Sequence, residues 1–145
     1  MKKYIFLISI LAYFHADCQN CAIAFTSHQT ASVVTSRQIT IAGTAATPIE
    51  GHLWILAHIE GFDEWWLQGN GERKIIANKW NCLVFLGQAD ETGNFEIAAI
   101  VVNDQVNQAL KNKVARAKDE GYPSIPMPDV LEGCEIKIIK IEKRK

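Results

Sequence analysis

The chain has 145 residues, 48% of them hydrophobic and 21% charged, with a formal net charge of −1. That composition suits a single folded domain with its own core and makes a disordered chain a poor reading. The near-neutral balance supplies no global attraction to nucleic acid or anionic lipid.

Residues 1–18 read as a secretory signal: Lys2 and Lys3 open it, Ile5 to Phe14 form an apolar middle, and Ala16-Asp17-Cys18 offers a small-x-small cleavage site. The apolar run is about half the ~20 residues needed to span a bilayer, so a permanent anchor is not expected. Asp17 before Cys18 and Asn20 before Cys21 lack the small residue of a lipidation site, which favours plain export. The expected organisation is a signal peptide over 1–18 and one domain over 19–145, located in the periplasm, at the cell surface or outside the cell.

Ala22 to Thr26 is a short first strand and Ser27 to Ser32 a polar loop. Arg37 to Ala42 alternates polar and apolar residues, the period of a strand wetted on one face. Gly43-Thr44-Ala45 ends it. His52 to Ile59 is apolar on both parities, as a strand covered on both sides requires. Gly69-Asn70-Gly71, between Glu64–Gln68 and Arg73–Ala77, carries the Asn-Gly signal of a tight hairpin. Trp80 to Leu86 follows, then a turn at Asp90 to Gly93, then Phe95 to Val102.

From Asp104 to Lys118 the period changes. Val106, Ala109, Leu110, Val114 and Ala117 fall on one helical stripe, which predicts a helix capped by Asn103 or Asp104 and ended by Gly121. The stripe is expected to cover an edge or end of the sheets. Tyr122 to Asp129 holds three prolines and is read as extended. Cys134 to Lys143 is the last strand. Its apolar parity slips between Ile138 and Ile139, which implies a bulge there if one face stays buried. The basic end, Lys140 to Lys145, is expected to be frayed and solvated.

Gly43-Thr44-Ala45, His52-Leu53-Trp54, Trp65-Trp66-Leu67-Gln68-Gly69, Trp80, Leu86-Gly87 and Phe95 to Val102 follow one another in an order that resembles the immunoglobulin-like or fibronectin-type-III-like β-sandwich modules of bacterial exported and cell-surface proteins. The resemblance spans Ile23 to Ile141. It implies an all-β fold, an Ig-like antiparallel β-sandwich of seven to eight strands with one α-helix inserted before the last strand. It also implies a spacer, adhesion or binding role and carries over no catalytic residue. First and last strands often run parallel side by side in such modules, so Cys21 and Cys134, at the starts of those strands, are expected to form a disulfide.

Among chemistry-bearing residues, Trp54 and Trp80 lie within apolar strands and are read as core. Trp65 and Trp66 are neighbours on one strand and must face opposite ways, so one is core and the other faces solvent or a partner. They are the candidate ligand-binding residues. His52 and His58, about 20 Å apart along a strand at ~3.3 Å per residue, cannot share a metal ion. Cys18 and Cys21 have C-x-x-C spacing but sit at the signal junction rather than between a strand and a helix. Cys82 shares the parity of Trp80 and Val84 and is read as a buried free thiol. No nucleophile elbow, P-loop, zinc-protease motif or dinucleotide fingerprint occurs. Asp63, Glu64, Asp90 and Glu91 fall in turns as solvated charges.

The sequence therefore points to a non-catalytic exported module, without cofactor or metal, that binds a protein or carbohydrate partner at the cell envelope. The rival readings are a small cell-envelope hydrolase and a periplasmic inhibitor or immunity-type protein.

Overall fold

Strict alternation drives two segments into strands: Ile39, Ile41 and Ala45 turn inward from one, and Trp80, Cys82 and Val84 from the other, while their neighbours face solvent. The computed structural model describes residues 21–145; the expected signal segment 1–18, with Cys18, lies outside them. In chain order the described residues form β1 (Ile23–Phe25), β2 (Ser32–Val34), β3 (Gln38–Ala45), β4 (His52–Ile59), β5 (Glu64–Leu67), β6 (Lys79–Phe85), β7 (Gly93–Val102), α1 (Asp104–Glu120), β8 (Ile125–Pro126) and β9 (Lys137–Lys143). The protein is mostly β, with two sheets and one helix. A three-stranded sheet has the order β1-β3-β6, and a six-stranded sheet the order β2-β9-β7-β4-β5-β8. All pairings are antiparallel except β2 with β9.

Two apolar clusters hold these layers. Ile39, Ile41, Trp80 and Val84 of the small sheet pack on Leu53, Ile55, Phe95, Ile97, Val101 and Ile141 of the large one. Trp80 lies over Gly43, its register partner, with the indole N–H donating to the Thr44 carbonyl at 3.0 Å. A Cβ at position 43 would fall 2.2 Å from that ring, so only glycine lets the indole settle there. On the other face, Trp54, Leu56, Ala98, Ile100 and Val102 pack under Leu110 of the helix and Ile125 of β8. β4 and β7 are thus buried on both sides, which accounts for the unbroken apolar run of His52–Ile59.

The helix begins where Asn103, in extended conformation, accepts the Val106 N–H at 2.9 Å through Oδ1. It covers the back face of the large sheet rather than an edge or end, because its Leu110 meets the helix-facing parity of β4 and β7. No helix among the described residues is long and apolar enough to cross a membrane.

Several expectations are corrected. Arg73–Ala77 forms no strand paired with β5. The Arg73 N–H instead bonds the Leu53 carbonyl at 2.8 Å, on the same strand whose Ile55 carbonyl takes the Gln68 N–H at 2.9 Å. Gly69-Asn70-Gly71, all at positive φ, is therefore a bulging loop along β4, closed by the Arg73 guanidinium, which donates to the Gly69 and Gly71 carbonyls. The tight turn lies further on, at Ala77 (φ 50°) and Asn78 (φ 63°), where Ile76 and Lys79 exchange backbone bonds. Ser32 opens a strand, β2, at the end of the segment read as a loop.

β9 contains no bulge: its register with β7 runs unbroken from Lys143 opposite Gly93 to Lys137 opposite Ala99. Keeping the ladder leaves Ile136 and Ile138 exposed and turns Ile139, Ile141 and Lys143 inward. The basic end is consequently not frayed. Lys143 is buried, and its ammonium donates to the Leu86 carbonyl at 3.0 Å and the Gln88 carbonyl at 2.5 Å.

Candidate functional site

Unequal sheet widths create the main surface feature. β1 and β6 are the edges of the small sheet, so the large sheet continues past β6 through β5 and β8 with no strand among the described residues facing it. Trp66 is paired with Ala57 and shares its face, the one that looks toward the small sheet. Beyond β6 that face is open, and Trp66 stays half-buried at the step. The result is a groove of about 920 Å³ between β5 and the free edge of β6, lined by Trp66, Leu67, Gln68, Asn81, Leu83, Phe85 and Tyr122 among others.

Gln68 bridges its walls. Its Oε1 accepts the Phe85 N–H at 2.9 Å, and its amide nitrogen donates to the Trp66 carbonyl at 3.1 Å. Arg37 lies 5.7 Å from the centre of the Phe85 ring, a cation–π contact, while its Nε donates to the Gly87 carbonyl at 3.0 Å. With Arg73 it gives the groove two guanidinium groups; among the described residues Glu91 is its sole lining carboxylate, and it accepts the Gln88 N–H at 2.9 Å. Cys82, behind the groove, is a fully buried free thiol pushed up to about 11 by burial, against the opposing pull of Arg73.

The candidate pair Trp65 and Trp66 does separate across the strand. Trp65 is 6% exposed and stacks on His58 with ring centroids 3.6 Å apart, so it belongs to the core under the helix. His58 Nε2 lies 2.7 Å from Glu96, which also holds Lys140 at 3.1 Å in a row across β4, β7 and β9. The His58 hydrogen bond pulls the Glu96 carboxyl below its ordinary range, and Lys140 adds to this against burial.

His52, at the opposite end of β4, stands in a separate cluster. Its Nδ1 is 2.5 Å from Glu72 and its Nε2 is 2.7 Å from Asp104. Glu72 also binds Lys111 at 2.7 Å and accepts from Asn107, whose Oδ1 takes the Trp54 indole N–H at 2.9 Å. Glu72, Asp104 and Asn107 carry no motif in sequence; only the docking of α1 on β4 brings them together. Burial lowers the His52 pKa, but the two carboxylates outweigh it and the net shift is upward from 6.5. Burial likewise raises Glu72, and Lys111 and His52 outweigh that, so its net shift is downward from 4.5. The raised His52 contributes stability that is complete below pH 6.5 and is lost as pH rises through its folded value. The lowered Glu72 contributes stability present above pH 4.5 and lost as pH falls through its folded value. Melting temperature should therefore decline above pH 6.5, and His52→Gln should flatten that decline; an unchanged slope would refute the assignment.

His52 and His58 do not converge, and no group of three or more His, Cys, Asp or Glu among the described residues could hold a metal ion. The sulfurs of Cys21 and Cys134 are bonded, with the Cα atoms 5.7 Å apart. The geometry that joins them is not a pairing of first and last strands, since β1 and β9 lie in different sheets. The bond ties the segment before β1 to the turn before β9.

Comparison with protein-family models and with curated protein sequences finds no match to this chain.

Proposed function

We propose that the chain is an exported, non-catalytic Ig-like β-sandwich module that binds a protein or glycan partner at the cell envelope, with Trp66 as the anchor. The observation that carries this reading is the groove between β5 and the β6 edge, where a half-buried indole lies beside Tyr122 and Phe85. Aromatic anchors in open apolar grooves dominate binding energies at interfaces. A disulfide supports the extracytoplasmic address, because such bonds persist in oxidising compartments. Both ring nitrogens of His52 being held by carboxylates supports the non-catalytic reading, since neither is left to act as a base.

The test uses two probes on the full chain, a displayed library of random seven-residue peptides and a panel of cell-wall oligosaccharides. Trp66→Ala should weaken whichever binds by about thirtyfold, corresponding to ~2 kcal/mol for a tryptophan hot spot. Its unfolding midpoint should stay close to wild type. Trp54, Trp65 and Trp80 are buried, so Trp66 emission should report the binding directly. Undiminished binding by Trp66→Ala would remove the groove from the account.

A further inference from the structure

We propose that the partner is an extended, acidic polypeptide segment that adds to the small sheet as a fourth strand, pairing with the free edge of β6; this rests on the binding role proposed above. The backbone of β6 shows which groups await a partner. The Leu86 N–H donates to the Arg37 carbonyl, so even-numbered residues face β3 and Asn81, Leu83 and Phe85 face outward. Lys79 is satisfied by Ile76, and the Phe85 N–H by the Gln68 side chain. Between them the Asn81 and Leu83 N–H and C=O groups meet no strand among the described residues, and Cys82 Sγ lies 3.5 Å from the Leu83 carbonyl.

This edge lacks the usual protection. It holds no proline or bulge, and Leu83 (43% exposed) and Phe85 (40%) stand on its outer face. A strand laid about 4.8 Å outside β6 would lie above Trp66, the position that the three-stranded layer leaves empty opposite β5. Gln68 already occupies one hydrogen-bonding place of that missing strand, its side-chain carbonyl standing where a partner's backbone carbonyl would be. Charge selects among strands: Arg37 near Phe85 and Arg73 near Cys82 face a single lining carboxylate among the described residues, which favours a segment bearing Asp or Glu. Backbone pairing supplies affinity, and the guanidinium groups with Trp66 supply preference.

Panning the displayed seven-residue library on the full chain should enrich β-branched sequences carrying acids. A synthesised winner should slow amide exchange at Asn81 and Leu83. Leu83→Pro removes an outward N–H that the β3 ladder does not use, and proline is tolerated at such edge positions. It should bind at least tenfold more weakly at an unchanged melting temperature. Wild-type protein should lose the same factor toward a peptide N-methylated at alternate amides, a test independent of how Leu83→Pro folds. Full binding of the N-methylated peptide, or no protection at Asn81 and Leu83, would overturn strand addition; loss on Trp66→Ala in that case would leave the groove reading standing. Selective, Trp66-dependent binding of the oligosaccharides would overturn the peptide and keep the groove. Binding of neither probe would overturn both.

Discussion

Replacing Trp54 with alanine should lower the unfolding free energy by about 3–5 kcal/mol, a large share of the ~5–15 kcal/mol of a typical domain. Trp54 is fully buried between β4 and the helix, and its indole N–H bonds Asn107 Oδ1 at 2.9 Å. Truncation would open a cavity under Leu110 and leave the buried Asn107 amide without its donor. Trp54→Phe separates the two effects: it keeps most of the volume and loses the hydrogen bond, so about 1–2 kcal/mol should go. Urea denaturation of both variants gives the comparison. Equal losses would mean that the polar link, not the packing, holds the helix to the sheet.

The second large effect is expected from Cys21→Ser/Cys134→Ser. The bond spans a sequence separation of 113 residues. A loop of that length, left open in the unfolded chain, corresponds to about 5 kcal/mol of lost stabilisation in the chain-entropy treatment. Serine keeps nearly the volume of cysteine, so the packing of Cys21 in the core and of Cys134 against it should change little beside the loss of the bond. Denaturant midpoints with and without reductant, on wild type and the double variant, test this. Reductant should shift only the wild type, and an unshifted wild type would show that the cross-link contributes nothing.

Much of the local structure was legible because it depends on neighbours in sequence. Alternation around Ile39–Ile41 and Trp80–Val84 gave strands, the two-sided apolar run gave β4, and Asn103 with the Val106–Leu110 stripe gave the helix and its start. Long-range choices were not legible. Alternation said that Trp65 and Trp66 part, but not which is covered; that depends on His58, Ile125 and the helix covering one face while the small sheet stops short on the other. The Asn-Gly signal at Asn70 marked a change of direction correctly in its φ angles, yet β4 offered backbone acceptors at Leu53 and Ile55 that turned a hairpin into a bulging loop. The slip in β9 signals a bulge only where one face stays buried throughout, and Ile136 and Ile138 are exposed. The groove itself has no sequence signature, since it arises from an inequality in strand number.

The parallel pairing of β2 with β9 has a consequence for how the molecule is completed. β2, at Ser32–Val34, has no other strand beside it among the described residues, and its partner occupies Lys137–Lys143. Ser32–Val34 must therefore wait for Lys137–Lys143 before it can settle. A chain cut before position 137 would leave that border unsealed, stranding both β2 and the outer side of β7. Such distant pairing makes folding slow, because a long loop must close before its contacts can form.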